Sequence, residues 1–452
     1  MLARVQQLTA GTNSLAGGVI QNDSETTQET ITIGRFLEER LAYKNRVFVT
    51  GALRSDDNTS FGKRFGNILY PRLSASWVVS EEPFFPTPGW LSALKLRGAY
   101  GSSGLHPGPT DAQQFYVATP VVVASVDAPG VTIGGLGNST LKPERTNELE
   151  FGFDAELKPV DAHLGFTYYS KVSHDALINV TLPPTCGCGT SVFRNLGSVG
   201  NKGVEISAAA TLIHRRNVNV DINASAWGTR SRVRTLGNGV KAIIFGLGGA
   251  TQRIQPGYAP GAYFQVPYTF ADTNKDGLIG LGEVHLGSAA TFQGQPFPDH
   301  GGTLSGTISV YEHVHLYGLV DGRFGNKLFN STEQFRCGLN NCAGRNDPKA
   351  SLAEQAAAVA NILGTQAGYI QDADFIKLRE LSLTYDAPAR WSSRVGAASL
   401  SFTIAGRNLA TWTKYKGLDP ELNEAGQNNF TTADFLTQPP VRYWIGRVNV
   451  AF

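Results

Sequence analysis

Asn147-Glu148-Leu149-Glu150-Phe151-Gly152-Phe153-Asp154-Ala155-Glu156-Leu157 sets Leu149, Phe151, Phe153, Ala155 and Leu157 at alternate positions, and Glu148, Glu150, Asp154 and Glu156 fill the other face. A period of two this strict is a strand with one apolar and one wet side. After the turn Lys158-Pro159-Val160-Asp161 the alternation resumes, with Leu164, Phe166 and Tyr168 against His163, Thr167 and Lys171, which makes an antiparallel hairpin. Val204, Ile206, Ala208, Ala210 and Leu212 alternate with Glu205, Ser207 and Thr211. Past His214-Arg215-Arg216, Val218, Val220, Ile222 and Ala224 alternate with Asn219, Asp221, Asn223 and Ser225. Further strands are expected from about Ile31, Val47, Ile68, Leu94, Leu304, Val314, Phe375, Leu400 and Val441. The total is about thirteen strands, each of roughly the 9–11 residues that a tilted bilayer-spanning strand needs. Helix is expected over 351–363 alone.

Connection lengths carry the next step. Tight links at Lys44-Asn45, 158–161, 214–216 and Tyr311-Glu312 alternate with long ones over 102–146, 173–201, 231–301, 326–373 and 409–440. Short and long connections therefore fall at opposite ends of the strands, the arrangement of an outer-membrane barrel with short periplasmic turns and long extracellular loops. The expected fold is all-β, an antiparallel transmembrane β-barrel, with the apolar sets against lipid and the acidic row of 148–156 lining a wet lumen. Trp77, Tyr100, Tyr168, Trp391, Tyr443 and Trp444 lie near strand ends, where interfacial aromatic girdles sit.

Composition agrees. The 452 residues hold 51 Gly, 10% aromatics, one Met and 17% charged residues, against about 25% charged in soluble domains. No apolar run is long enough for a spanning helix. Lys plus Arg total 39 and Asp plus Glu 37, with no basic tract dense enough for a nucleic-acid partner. Met1-Leu2-Ala3-Arg4-Val5-Gln6-Gln7 has no export-signal pattern. Taken alone that start reads as cytoplasmic; set against everything downstream it reads as a start in mid-architecture.

One loop carries a metal signature. Asp272-Thr273-Asn274-Lys275-Asp276-Gly277-Leu278-Ile279-Gly280-Leu281-Gly282-Glu283 matches the twelve-residue calcium loop at its demanding positions. Asp272, Asn274 and Asp276 offer side-chain oxygens, Leu278 its carbonyl, Gly277 the turn and Glu283 a bidentate carboxylate. Ca²⁺ is the expected ion, since Mg²⁺ wants stricter octahedral geometry. Upstream Tyr263-Phe264-Gln265-Val266-Pro267-Tyr268-Thr269-Phe270 reads as strand or extended loop, so the ion is expected to staple a loop and not to open a helix pair. Cys337 with Cys342, in a Gly/Asn-rich loop, suits a local disulfide in an oxidising compartment better than zinc; for the cramped Cys186 and Cys188 both readings stay open. Tyr258, Tyr263, Phe264 and Tyr268 are candidate substrate contacts, able to stack on sugar or pack on peptide.

The runs Tyr70-Pro71-Arg72-Leu73-Ser74-Ala75-Ser76-Trp77, Leu94-Lys95-Leu96-Arg97-Gly98-Ala99-Tyr100-Gly101 and Leu141-Lys142-Pro143-Glu144-Arg145-Thr146-Asn147-Glu148 are characteristic as a set. So are Asn201-Lys202-Gly203-Val204-Glu205, Asp374-Phe375-Ile376-Lys377-Leu378-Arg379-Glu380-Leu381, Gly417-Leu418-Asp419-Pro420-Glu421 and the closing Tyr443-Trp444-Ile445-Gly446-Arg447-Val448-Asn449-Val450-Ala451-Phe452. Together with the calcium loop the chain resembles SusC/RagA-type TonB-linked outer-membrane receptors over nearly its whole length. The resemblance implies a barrel of about 22 strands, of which residues 1–452 are the C-terminal portion without its plug. It also implies import of a glycan or oligopeptide, a SusD-like surface lipoprotein, and a TonB complex reached through a missing N-terminal region. A passive outer-membrane pore, a calcium-stabilised surface adhesin and a soluble calcium-stabilised β protein are the competing readings.

No enzyme is expected. Gly-x-Ser-x-Gly, the phosphate loop, Gly-x-Gly-x-x-Gly and His-Glu-x-x-His are all absent from the sequence. His313 and His315 lack a third metal ligand, and the acidic row needs no acid/base role beyond a hydrophilic lumen wall.

Overall fold

The structure is a computed structural model that describes residues 29–452 except 62–65, 87, 124–125, 159, 182–190, 196, 238, 248–250 and 427–429. Cys186 and Cys188 lie outside the described residues. No helix among those described is long and apolar enough to cross a membrane.

One sheet of thirteen antiparallel strands dominates, and its spatial order is its chain order. The strands are β1 (Thr32–Tyr43), β2 (Val47–Asn58), β3 (Ile68–Val78), β4 (Leu91–Leu105), β5 (Glu144–Leu157), β6 (Ala162–His174) and β7 (Ser198–Arg215). They continue as β8 (Val218–Thr235), β9 (His300–Val310), β10 (Val314–Phe324), β11 (Phe375–Asp386), β12 (Ser399–Thr413) and β13 (Tyr443–Ala451). Each strand pairs with the next, so connections alternate between the two ends of the wall, as the loop lengths predict. Two of the tight turns, at Lys44-Asn45 and Tyr311-Glu312, hold both central residues at positive φ (49° and 55°, 50° and 61°). That twist matches the flanking strands and closes a tight hairpin, Tyr43 pairing with Val47 and Val310 with Val314.

The register assigns every side chain to a face. Leu149 and Phe151 stand on the same face as Tyr168, Val204, Ile206, Leu304 and Ile308, and all seven are exposed. Left exposed among the described residues, they form no soluble core, and an apolar surface this large marks lipid contact. The opposite face is polar and cross-linked. Asp154 receives Lys95 at 3.5 Å and Arg97 at 3.4 Å; Arg97 also donates to Thr167 Oγ1 at 2.6 Å; Glu380 accepts from Arg407 at 2.8 Å. Tyr443 belongs to this inner face, next to Arg407, and so leaves the aromatic girdle expected from its position. Trp444, Trp391, Tyr100 and Tyr168 keep exposed rings.

The strands run beyond the sequence-based limits at the long-loop end: β4 reaches Leu105, β5 starts at Glu144, β7 at Ser198, and β8 continues to Thr235. Past the lipid band both faces are wet, so the alternation that announces a strand fades although the ladder continues. Helices occupy the loop over 325–374: α1 (Ser331–Gly338), α2 (Ala343–Asn346) and α3 (Leu352–Ile362). Ser351 caps α3 as its hydroxyl accepts from Glu354 N, as expected, whereas α1, capped by Asn330 Oδ1 on Glu333 N, is too short and polar to show a periodicity.

Candidate functional site

Three long loops, 236–299, 325–374 and 414–442, pack together at one end of the wall. Their shared core joins Tyr263, Phe329, Tyr369 and Ile370 with Ala357, Ala358 and Ala433, and includes Cys337 and Cys342, which are joined by a disulfide. Polar groups sealed inside are largely partnered, as burial demands, the Tyr369 hydroxyl being an exception. Gln252, fully buried, donates from Nε2 to Gly261 O, Phe430 O and Thr432 Oγ1 and accepts Thr432 N on Oε1. The Tyr263 hydroxyl donates to Thr432 O at 2.8 Å, and burial raises its pKa.

This packing corrects two sequence expectations. Tyr263 and Phe264 are 0% and 4% exposed in the short strand Ala262–Gln265, whose four residues are all buried; they have no surface to offer a substrate. Their aromatic area stabilises the loop assembly instead. Tyr268 is half-buried and lines a cleft of about 320 Å³ with Glu354, Tyr369 and Lys416. Tyr258 packs against Phe264 and Phe292, with ring centroids 5.0 and 5.1 Å away, on the outer side of the wall.

The twelve-residue loop projects from the same assembly, between the strands Tyr268–Phe270 and Val284–Leu286, which pair antiparallel. A β-clamp thus replaces the two flanking helices of a sensor. Lys275 and Gly277 take positive φ, 62° and 80°, and the chain turns back on its own carboxylates. Asp272 Oδ2 accepts Gly277 N at 3.0 Å, Asn274 Oδ1 accepts Asp276 N at 3.1 Å, and Asp276 Oδ1 accepts Leu278 N at 2.8 Å. Glu283 accepts Gly280 N on Oε2 and Thr273 N on Oε1, and these bonds hold its pKa down at about 2. Ile279 is buried against Val284, Ala356 and Ala360, while Gln355 of α3 accepts Ile279 N and donates to Gly277 O, so the loop is docked on α3. Asp272 Oδ1 is buried with no hydrogen-bond partner, as are a few other side-chain atoms, among them Asn326 Oδ1 and the Tyr369 hydroxyl. The donor types fit a hard cation, with Asn274, Asp276 and Glu283 following Asp272 at the spacing of a calcium loop, although the three carboxylates of this loop are not gathered into one tight cluster.

The sequence reading missed a second cluster. Lys377, 3% exposed on β11, donates to both carboxylate oxygens of Asp419 at 2.7 Å and to Glu421 at 2.6 Å. Arg379 donates to Glu421 and to Asp321 of β10. Burial alone would raise the Glu421 pKa, but Arg379 and Lys377 outweigh it and hold it at about 2. An irregularity between Leu378 and Glu380 lets Arg379 and Glu380, neighbours in sequence, both reach inner-face partners. The cluster fastens the 414–442 loop to the inner wall and borders a cleft of about 640 Å³ that also takes in Arg323, Asn408 and Tyr443. Its sequence signal was only the alternation of Lys377 and Arg379 with apolar residues. His313 and His315 do not converge on a metal: His315 bridges Ser309 and Asp386 at 2.8 and 3.0 Å, and His313 lies against the ring of Tyr385.

A chain-ordered antiparallel wall, greasy outside and ion-paired inside, with loops sorted to one end, can be set beside known proteins. The family model described as TonB dependent receptor-like, beta-barrel matches residues 4–443. The chain belongs to this family. Among curated relatives it is 25% identical over 426 residues to TonB-dependent receptor P26 of Formosa agariphila, covering 86% of this chain and 42% of that protein. It is 24% identical over 448 residues to TonB-dependent receptor SusC of Bacteroides thetaiotaomicron, covering 85% and 41%. The fold is similar to a chain of the RagAB peptide transporter, with a TM-score of 0.77 at 20% identity over 98% of this chain and 50% of that one. The chain therefore spans less than half the length of the curated relatives named here. As a TonB-dependent receptor barrel it is an outer-membrane protein of the SusC/RagA type, and the family is one of receptors and not of enzymes.

Proposed function

We propose that this chain forms barrel wall and extracellular cap of a receptor that imports a large nutrient, a glycan or an oligopeptide, in an energised, TonB-dependent step with a SusD-like lipoprotein over its mouth. The observation that carries the reading is the pairing of a polar, ion-paired inner wall with a packed extracellular assembly of three loops, on a wall similar to SusC and to the RagAB peptide transporter. Lumen-facing charge suits passage of hydrated, hydrogen-bonding cargo, and the solidly cored cap offers a rigid seat for a partner protein. Cells lacking the receptor gene, given defined glycans or peptides, should lose uptake of one class, and a protonophore should abolish that uptake in wild-type cells. Uptake that survives the protonophore, together with steady conductance of the purified full-length protein in planar bilayers, would instead mark a passive pore.

Within the cap, we infer that Ca²⁺ binds Asp272, Asn274, Asp276, the Leu278 carbonyl and Glu283. The partnerless Asp272 Oδ1 supports this, as does the anchoring of Ile279 and Gln355 beneath the loop. The ion would bind the two arms of the loop and hold them on α3. Calorimetry of the full-length receptor should show one Ca²⁺ site, lost in Asp276→Asn combined with Glu283→Gln; identical heats for variant and wild type would remove the assignment.

A further inference from the structure

The outer surface of the wall carries a cationic cleft that import does not use. In the register of β7 and β8, Lys202 stands directly opposite Arg230, and Arg232 follows opposite Gly200. These positions share the parity of Val204, Ile206 and Gly228, so they belong to the lipid-facing side. All three side chains are exposed, and none has a carboxylate partner among the described residues. Like charges directly opposed across an antiparallel ladder are destabilising. A pair held there with no counter-charge from the chain calls for an anion from outside it.

The depth of the cleft identifies where that anion comes from. β7 begins after the long connection 175–197 and β8 runs into the loop 236–299, which puts Lys202, Arg230 and Arg232 at the extracellular end. Val204, Ile206 and Leu304, 38%, 43% and 54% exposed, form the apolar band just below. Two residues of strand, about 7 Å, separate Lys202 from Val204, so the cations lie at headgroup depth of the outer leaflet. The cleft, about 750 Å³, is floored by Tyr168, Val204 and Gly228 and roofed by Gly257, Tyr258 and Phe292. The roof is fixed, since Val233 N donates to Tyr258 O and Gly257 N to Val233 O, both at 2.8 Å. Asp299, the acid in its lining, is engaged with His300 at 2.6 Å.

We propose that this cleft holds the phosphorylated headgroup of an outer-leaflet glycolipid, with Lys202, Arg230 and Arg232 on the phosphate oxygens and Tyr258 and Phe292 against the sugar. Three cations lining one cleft suit a phosphate, with its charge and three acceptor oxygens, better than a single carboxylate. The site would seat the receptor in its own membrane.

The test uses the full-length receptor extracted from its own outer membrane in mild detergent, by native mass spectrometry with phosphate analysis of the released lipid. Wild type should retain a phosphorylated glycolipid, and the triple variant K202Q/R230Q/R232Q at least about tenfold less. Arg447→Gln, a charge loss on the inner wall, should retain as much as wild type. In nanodiscs wild type should prefer the intact glycolipid to its dephosphorylated form, and millimolar inorganic phosphate should not displace it. Equal retention by the triple variant, indifference to dephosphorylation, or displacement by inorganic phosphate alone would each overturn the proposal. If the triple variant fails the heat-modifiable gel shift of a folded barrel, Arg232→Gln alone decides: retention a few-fold below wild type supports the site, and unchanged retention overturns it.

Discussion

Replacing Lys377 by Met keeps the length of the side chain and removes its charge from a position 3% exposed. Three short hydrogen bonds disappear, two to Asp419 and one to Glu421, and Asp419 is left as a nearly buried carboxylate with no cation on it. Removing one partner of a buried pair costs about 3–5 kcal/mol, because the other charge stays behind. Glu421 keeps Arg379, which argues for the lower limit, about 3 kcal/mol. At about 1.4 kcal/mol per decade that amounts to roughly 100-fold faster local opening. The reporters are the amides of Glu421, which donates to Asp419 Oδ1, and Leu422, which donates to Asp419 O. Hydrogen exchange of the full-length receptor should accelerate there by that factor and stay unchanged in the β5–β6 hairpin. Adding Asp419→Asn should recover much of the loss. Unchanged exchange at Glu421 and Leu422, or acceleration spread evenly over the wall, would refute the view that this cluster fastens the loop to the barrel.

The remaining expectations test the other levels of the structure. Glu283 has a folded pKa of about 2, below its ordinary 4.5, so its contribution is complete above about pH 4.5 and is lost as pH falls towards 2; proteolytic cutting within 272–283 should rise across that window and, in Glu283→Gln, already be high at pH 7. Ala208→Lys, in mid-band on the lipid face of β7, should cost about 2–4 kcal/mol in urea unfolding of the barrel in vesicles, whereas Ala209→Lys, facing the aqueous side, should cost under about 1 kcal/mol. Ala360→Leu overpacks the fully buried contact of α3 with Ile279 and Val284, and should cost about 1–3 kcal/mol, seen as faster hydrogen exchange of Ile279 with the β5–β6 hairpin unaffected.

How far the sequence could be read depended on which surfaces were two-faced. Within the lipid band each strand has one apolar and one wet side, so Leu149, Phe151, Val204 and Ile206 declared their face by alternation alone, and the turns at Lys44-Asn45 and Tyr311-Glu312 set the direction of the loops. Above the band that contrast vanishes, which is why the ends of β4, β7 and β8 were set short. The twelve-residue loop was legible because its geometry is local: carboxylates, glycine and hydrophobic anchor all lie within one turn of chain. The cap was not, because its contacts are distant in sequence. Gln252 meets Thr432 and Tyr263 meets Phe329 only once three loops have folded together, and an aromatic in a loop carries no mark that says core or contact. Lys377 and Asp419 were hidden for the same reason, since an ion pair between a strand and a later loop leaves no periodicity.

The central claim is that Leu149, Phe151 and Phe153 touch acyl chains while Glu150 and Asp154 line water. Nitroxides placed singly from 149 to 154 in the membrane-inserted full-length receptor, read for collision with oxygen and with a water-soluble nickel complex, test it directly. The predicted result is a two-residue oscillation, oxygen-rich at 149, 151 and 153 and nickel-rich at 150 and 154. An oscillation of opposite phase, or none at all, would contradict the account.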